Sequence, residues 1–410
     1  MNRRIVSNAA VLAALKIGAP LCSWLLVVAV SRRLGVPALG QYSLAYTWLA
    51  VLSLLGPLGL PALLTRETAR NRAALGPLLA TAAALGGAVS IGLTAVMATA
   101  GARLGYDPAT LHVVIILSLA LLPTTLQAYC EAAFLALQQT APIAWATAAE
   151  NLLKVGLGIV WLRAGYGLEG VLCAAVLGRA AACGVSLAFL HRMGVLAGFR
   201  PDRGLMRRLA SEAPVFALSG LCATLYWRVD VLLLTHSQGL AAVGLYTAAY
   251  RVLDLAVLLP QSLCQAAYPE LAVRRDHRLP AGSTLAWLVS LTAPAAAVVA
   301  VAAGPVMRLL YGKGFEAAGP MLAVLIWTAV PYTWNRYYAC VLVASGRQRT
   351  DLAINAGLLA INVALNLALI PRLGGMGAAL VTLATALLYA GAQQVALRRP
   401  YVARQVIHAA

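Results

Sequence analysis

Charge is scarce in this sequence. Only 11% of the 410 residues are charged and just 13 are acidic, whereas 61% are of hydrophobic type. An ordinary soluble domain carries roughly twice that charged fraction, about 25%. The composition therefore excludes a water-soluble globular protein and favours a membrane protein.

Motifs for metal, disulfide or nucleotide chemistry are also missing. The seven Cys and five His show no CxxC or HxxH spacing, and no GxxxxGK[ST] loop occurs. No segment between apolar runs is long enough for a folded domain with paired carboxylates. We therefore expect no cofactor, no metal site, no catalytic residues and no direct use of ATP, and we do not expect an enzyme.

The apolar runs have the length that a bilayer requires. A spanning helix needs about 20 residues, so the chain has room for roughly twelve. The predicted fold is an all-α polytopic membrane protein with spans at residues 7–31, 39–63, 75–101, 111–137, 142–163, 168–191, 208–235, 240–270, 284–310, 319–345, 350–370 and 376–397.

The basic residues indicate how these spans are oriented. The net charge is +18, but the Lys and Arg residues lie mostly in short loops, which argues against a nucleic-acid partner. With a cytoplasmic N-terminus, 18 of the basic residues fall on the cytoplasmic side and seven on the other. The positive-inside rule thus predicts a multi-pass protein with both termini cytoplasmic.

Half of the chain repeats the other half. The segment Gly35 to Leu49 aligns without gaps on Gly239 to Leu253, with seven identities at an offset of 204. Each copy holds an even number of predicted spans, so both copies have the same orientation in the membrane. We expect an N-terminal lobe of residues 1–200 and a C-terminal lobe of residues 201–410, each with six helices, and the two lobes are parallel and related by a pseudo-two-fold axis along the membrane normal.

An ordered series of short motifs accompanies the repeat. In chain order these are Asn8 to Gly35, Gly40-Gln-Tyr42, Arg66 to Arg70, Arg228-Val-Asp230, Val243 to Tyr246, Pro269-Glu270, Tyr311 to Phe315, Asn362 to Leu367, Ile370-Pro371 and Gly374 to Ala379. From about residue 5 to residue 395, the series resembles the polysaccharide (O-antigen, Wzx-type) flippases of the multidrug/oligosaccharidyl-lipid/polysaccharide exporter superfamily.

The resemblance implies both the cargo and its direction of travel. It implies a flippase that moves an oligosaccharide unit linked to undecaprenyl pyrophosphate from the cytoplasmic to the outer leaflet of the bacterial inner membrane, for polysaccharide biosynthesis by alternating access. The implied partners are the lipid-linked oligosaccharide, membrane lipid, and a polysaccharide polymerase with other assembly proteins.

Ionisable residues inside spans are functional candidates, because a charge at mid-bilayer costs about 2.5–3.5 kcal/mol on insertion scales. A surplus of cations in a central cavity would suit a pyrophosphate cargo. The predicted substrate-binding cations are Lys16, Arg179, Arg228, Arg251 and Arg336. Any one of them has an alternative role, which is to pair with an acid on another helix.

Two further pairs of charges stand at helical spacing. Glu150 precedes Lys154 by four residues, and Arg251 precedes Asp254 by three, so each pair can neutralise itself on one helix face. We interpret these two pairs as structural. Asp230 and Glu131 have no such partner, which makes them the predicted coupling residues for an ion or proton.

Polar and aromatic residues near these charges are candidates for contacting the glycan. They are Tyr226, Tyr250, Asn335 and Asn362. The stripe formed by Asn355, Asn362 and Asn366 favours an interhelical hydrogen-bond seam slightly over a sugar-binding wall.

Two other functions remain open. A multidrug or other small-molecule exporter of the same superfamily would share the architecture, although acidic residues would then be expected to dominate inside the membrane. A membrane-embedded enzyme of polysaccharide assembly is the second alternative.

Overall fold

The computed structural model describes residues 3–100, 103, 105–258, 282–344 and 347–398. Side chains are described from residue 18 onward, except in 210–227, 282–288 and at scattered single positions. Within these ranges the chain forms α-helices and short 3-10 turns and no strand. The α-helices are α1 (Arg3–Leu55), α2 (Leu60–Arg70), α3 (Leu75–Ala100), α4 (Pro108–Ser118), α5 (Leu121–Ala136), α6 (Ala141–Arg163), α7 (Gly167–Arg192), α8 (Arg203–Ala256), α9 (Gly282–Val301), α10 (Ala303–Tyr311), α11 (Gly319–Leu325), α12 (Ala329–Ala344), α13 (Gln348–Leu373) and α14 (Gly375–Arg398).

The all-α class is confirmed, but length and hydropathy alone do not reach twelve spans. In the described part of the chain nine helices are long and apolar enough to cross a membrane, or ten if the bent pair α9 and α10 is one span. Two of the nine are broken internally, α1 at Gly35 and α8 at Gly239. Large apolar side chains such as Leu152 and Val301 are 76% and 89% exposed, as expected of surfaces that face lipid.

Glycine makes both internal breaks. Gly35 has φ 80° and ψ −170°, and Gly239, its equivalent in the second repeat, has φ 78° and ψ 180°. Side chains larger than hydrogen disfavour this positive φ. Each glycine thus turns the chain directly from one helix into the next, which is why the predicted loops at these points are absent.

Two prolines explain two further breaks within the predicted spans. The chain bends by 77° between α9 and α10. The helix ends at Val301, four residues before Pro305, whose ring clashes with the carbonyl at that distance and which has no N–H to donate. Pro123 has the same relation to Leu119, at the junction of α4 and α5.

The two repeats contact each other reciprocally beside the glycine breaks. A Cβ built on Gly40 would lie 2.0 Å from the carbonyl oxygen of Leu240, and one on Gly244 would lie 2.1 Å from that of Val36. These pairs are equivalent under the offset of 204 residues. Such an exchange of equivalent contacts is the pattern of a local two-fold axis.

Polar groups support the same junction. The Thr247 hydroxyl lies 2.8 Å from that of Ser43, again 204 residues away. Trp24 Nε1 donates to the Tyr311 hydroxyl at 3.0 Å, and Arg32 Nε donates to the carbonyl of Leu310 at 2.9 Å. The lobes are therefore joined closely at the end that carries Gly35 and Gly239. The boundary at residue 200 stays a prediction, and Leu205 and Leu209 beyond it pack against the N-terminal lobe.

Candidate functional site

A cavity of about 650 Å³, here the central cavity, lies between the two repeats. Helices from both halves line it. Its charged lining residues are Glu131, Glu150, Lys154, Arg179, Arg228, Arg251, Asp254 and Arg336.

The charge balance of this lining is positive. Among the described lining residues five are cationic and three acidic, a formal surplus of two. Four of the five predicted substrate-binding cations are brought together here: Arg179, Arg228, Arg251 and Arg336. The fifth, Lys16, has a helical backbone, but its side chain lies outside the described residues, as does that of Tyr226.

The N-terminal lobe contributes a cluster built on Glu150. One carboxylate oxygen lies 3.0 Å from Arg179 Nη1 and the other 3.9 Å from Lys154 Nζ. Lys154 also donates to the Ser23 hydroxyl at 2.9 Å. Arg179, which has no acid at helical spacing in its own span, thus finds one on the neighbouring helix, and two cations share a single carboxylate.

A glycine brings these charges together. A Cβ on Gly178 would lie 2.8 Å from the carbonyl oxygen of Glu150 and 3.2 Å from Cβ of Lys154. Small residues allow membrane helices to approach this closely. Gly178 therefore lets α7 pack near enough to α6 for the next residue, Arg179, to reach Glu150.

The C-terminal lobe presents its arginines differently. Arg251 Nη1 lies 3.2 Å from Asp254 Oδ2, as the sequence spacing predicts. Arg336 donates from Nε to the Tyr332 hydroxyl at 3.0 Å, and its guanidinium carbon is 5.2 Å from that ring's centre. In the described part of the chain no carboxylate lies within 4.0 Å of the Arg228 or Arg336 side chain. Their charge is available to a ligand.

The predicted coupling residues occupy different places. Glu131 lines the central cavity and accepts a hydrogen bond from Gln127 at 3.2 Å. Asp230 is only 7% exposed and lines a separate cavity. Its carboxylate accepts from the Tyr246 hydroxyl at 2.5 Å and from the backbone N–H of Val231 at 2.8 Å.

That second cavity, here the C-terminal cavity, has a volume of about 240 Å³. Its lining residues are Asp230, Tyr250, Thr328, Tyr332, Asn335, Arg336, Ala339, Asp351, Asn355, Asn362, Thr382, Thr385, Ala386 and Tyr389. It shares Tyr250, Thr328, Tyr332 and Arg336 with the central cavity, so the two adjoin. Three of the four predicted glycan contacts, Tyr250, Asn335 and Asn362, lie on its walls.

The asparagine stripe forms the seam that the sequence favoured. Asn362 donates to Thr385 at 3.3 Å and accepts from Asn366 at 2.9 Å, while Asn355 donates to Tyr389 at 2.6 Å. The bonds to Thr385 and Tyr389 join α13 to α14, and the bond between the two asparagines lies within α13. Asn355 and Asn362 nevertheless also line the C-terminal cavity, so the two interpretations of the stripe are compatible.

Comparison with known proteins adds to this geometry. A family profile described as "Polysaccharide biosynthesis protein" matches residues 5–273, well over half of the chain. The chain belongs to this family. The resemblance seen in the motif series is thereby confirmed at the family level.

A curated relative matches a shorter part of the chain. The "Probable flippase AglR" of Haloferax volcanii is 28% identical over 194 residues. The match covers 45% of this chain and 40% of that relative, so it spans less than half the length of either.

Solved structures show that the fold is shared along nearly the whole chain. The lipid II flippase MurJ, in an inward closed conformation, has a TM-score of 0.77 at 13% identity and is matched over 94% of this chain and 87% of its own. An inward-facing multidrug resistance MATE family transporter of the MOP superfamily has a TM-score of 0.71 at 15% identity, over 94% and 97%. A MOP superfamily transporter from Pyrococcus furiosus has a TM-score of 0.63 at 14% identity, over 95% and 93%. At these identities the likeness establishes the two-lobe fold of this family member.

Some lining residues carried no signal of a site in the sequence. The sequence spacing pairs Lys154 with Glu150 and Asp254 with Arg251, yet Lys154 and Asp254 both line the central cavity. Asp351, Thr382 and Tyr389 line the C-terminal cavity, and no pattern in the sequence marks them as site residues. A spacing of 38 residues between Asp351 and Tyr389 has no helical meaning, so only the packing of α13 on α14 brings them together.

Proposed function

We propose that this protein is a flippase that moves an undecaprenyl-pyrophosphate-linked oligosaccharide unit from the cytoplasmic to the outer leaflet of the bacterial inner membrane. The observation that carries the proposal is the central cavity, whose described lining has five cationic and three acidic side chains. A pyrophosphate crossing hydrocarbon needs compensating charge, since its desolvation would otherwise cost several kcal/mol per charge or more. Membership in the polysaccharide biosynthesis protein family agrees with this cargo.

The arginines suit the phosphate end of the cargo. Arg228, Arg251 and Arg336 come from helices of the C-terminal lobe, and Arg179 comes from the other lobe. An arginine can hold two phosphate oxygens with its planar fork, which a lysine cannot do. Arg228 and Arg336 would bind directly, while Arg179 and Arg251 would exchange a carboxylate partner for phosphate.

An apolar margin of the same cavity suits the prenyl chain. Ala19 and Pro20 of α1 line it together with Leu255, near the end of α8, and with Val257 and Leu258 directly after that helix. These residues lie on the far side of the cavity from the junction at Gly35 and Gly239. In this proposal both termini are cytoplasmic, which puts that junction on the outer side of the membrane and the apolar margin nearer the cytoplasmic leaflet.

The energy source in this proposal is an ion or proton that binds at Asp230 or Glu131. Each carboxylate is held by a neutral donor, Tyr246 and Gln127 respectively. Binding of a cation there would alter the charge that the two cavities present to the cargo, as alternating access requires. The product would pass to a polysaccharide polymerase and other assembly proteins.

Transport by purified full-length protein in proteoliposomes tests the proposal. The substrate is a labelled undecaprenyl-pyrophosphate oligosaccharide, and flipping is measured as its accessibility to an external enzyme. We expect Arg251→Ala and Arg336→Ala to lower the rate about tenfold or more, and Arg→Lys to give intermediate rates where phosphate is held bidentately. Arg308→Ala is the matched control. Arg308 lies 3.2 Å from Glu316, and neither residue lines the central or the C-terminal cavity.

Two results would contradict the proposal. Arg251→Ala and Arg336→Ala could insert normally and still flip the lipid at the wild-type rate. Alternatively, the liposomes could accumulate a cationic dye with no flipping of the lipid, which would favour the multidrug exporter. A surplus of cations in the cavity makes that second result unexpected, since like charges repel.

A further inference from the structure

The C-terminal cavity differs in chemistry from the central cavity that it adjoins. Its described lining contains two carboxylates, Asp230 and Asp351, and a single cation, Arg336, which stands at the shared edge. The rest of its polar lining consists of hydroxyl and amide groups. The two cavities thus offer a cationic compartment next to one that is rich in hydrogen-bond acceptors.

The carboxylate of Asp351 is held in a fixed position. Its Oδ1 accepts from the Tyr389 hydroxyl at 3.0 Å and from Gln393 Nε2 at 2.9 Å. Its Oδ2 has a long contact of 3.4 Å with Asn355 Nδ2. A carboxylate oxygen can accept about two hydrogen bonds, so Oδ2 retains capacity for a donor in the cavity.

Other polar atoms on this wall have unused capacity as well. Within the described part of the chain, Asn335 Oδ1 and Thr328 Oγ1 are buried without a hydrogen-bond partner. Both residues line the cavity, and Asn335 is itself only 6% exposed. Buried polar groups are normally paired, so unpaired ones at a cavity wall are consistent with a ligand that carries hydroxyl groups.

The size and the aromatic surface of the cavity narrow the class of ligand. Pockets for drug-sized molecules have volumes of about 300–1,000 Å³, so 240 Å³ suits a smaller group such as one sugar ring. Tyr250, Tyr332 and Tyr389 supply flat apolar faces with a hydroxyl at the end of each. A sugar ring, which has apolar C–H faces and donor hydroxyls at its rim, matches this combination.

We propose that the C-terminal cavity is a sugar subsite, which takes the sugar residue next to the pyrophosphate and accepts a neutral or amino sugar in preference to an acidic one. The inference rests on the proposed function, because phosphate bound beside Arg336 would place the adjoining sugar at the shared edge. Asp230 and Asp351 would repel the carboxylate of a uronic acid there and would accept hydrogen bonds from hydroxyl or ammonium groups.

Binding of three matched probes to the purified full-length protein tests the subsite. The probes are farnesyl pyrophosphate, farnesyl pyrophosphate linked to glucose and farnesyl pyrophosphate linked to glucuronic acid. For the wild type we expect the glucose-linked probe to bind at least tenfold tighter than farnesyl pyrophosphate, and the glucuronate-linked probe no tighter. Asp351→Asn, which preserves size, should reduce the gain from glucose to less than threefold and should narrow the difference between the glucose-linked and glucuronate-linked probes, because only Asp230 then repels the glucuronate. Its melting temperature verifies that the fold is intact.

Control variants separate the subsite from the rest of the mechanism. Glu316→Gln removes an acid outside both cavities and should leave all three affinities unchanged. Arg336→Ala should weaken all three probes together. If no probe binds the wild type, the proposed function fails; if all three bind it equally, the subsite is wrong although pyrophosphate recognition stands. A cation is the other conceivable ligand for these oxygens. If replacing potassium by sodium changes all three affinities equally and Asp351→Asn abolishes that effect, the cavity is an ion site and the sugar proposal is overturned.

Discussion

Replacing Gly40 or Gly244 by alanine tests how the two lobes meet at the end that carries Gly35 and Gly239. Each glycine faces a backbone carbonyl of the opposite repeat, Gly40 that of Leu240 and Gly244 that of Val36. The atoms nearest to each added Cβ are backbone atoms, so the clash cannot be relieved by rotation of a side chain. An added methyl group must therefore separate the two helices.

The required separation follows from the distances. The added carbon would lie 2.0 Å from the carbonyl oxygen at Gly40 and 2.1 Å at Gly244. Because nonbonded carbon and oxygen atoms approach to about 3.3–3.6 Å, the backbones must part by about 1.3 Å. Overpacking of this kind costs about 1–3 kcal/mol. The closed junction would therefore be disfavoured about 5- to 150-fold relative to an open one.

Disulfide trapping measures this shift. The hydroxyl oxygens of Ser43 and Thr247 are 2.8 Å apart, so cysteines at both positions should oxidise readily when the junction is closed. We expect this crosslink to stop transport until it is reduced. Adding Gly40→Ala or Gly244→Ala should lower the extent of crosslinking at least fivefold, and the two variants should behave alike because their positions are repeat-equivalent.

Gly156→Ala is the matched control, since a Cβ at Gly156 would meet no heavy atom within 4 Å. It should crosslink like the parent protein. Crosslinking and transport at parental levels in both Gly40→Ala and Gly244→Ala would refute the argument. The two helices could then accommodate a methyl group without separating, and the contact at Gly40 and Gly244 would not control transport.

Three further predictions concern the cavities and the topology. Asp230→Asn should slow transport more than Asp254→Asn, because the first carboxylate is held by a tyrosine hydroxyl and the second by a guanidinium at 3.2 Å. Equal rates for wild type and Asp230→Asn across imposed pH gradients would remove the coupling role. Glu150→Gln should tighten binding of farnesyl pyrophosphate several-fold, since it frees Arg179 from a partner at 3.0 Å and raises the cavity's positive charge. Weaker binding at an unchanged melting temperature would contradict this. A reporter fused near Arg203 should give a cytoplasmic signal, and a periplasmic one would reject the predicted orientation.

The membrane class, the family and the repeat follow from sequence because they depend on local composition and spacing. Twenty consecutive apolar residues satisfy a bilayer wherever they stand in the chain. The alignment of Gly35 with Gly239 is similarly local, and both glycines adopt the same positive φ. The pairing of Arg251 with Asp254 at 3.2 Å also follows from a spacing of three on one helix.

The bend between α9 and α10 shows a limit of this reasoning. Pro305 was available in the sequence as a helix breaker, but the apolar run continues through it. Apolar length predicts that a segment can span a membrane and does not indicate whether the helix is straight. The bend of 77° is therefore a feature of the folded chain that apolar length does not predict.

The grouping of charges was decided by tertiary packing alone. Arg179 reaches Glu150 across two helices because Gly178 lets them approach, and Asp351 meets Tyr389 across α13 and α14. A helical period of 3.6 residues relates positions on one helix only, so it cannot state which faces of different helices meet. The sequence thus shows which charges the membrane must accommodate, but which of them share a cavity depends on how the helices pack.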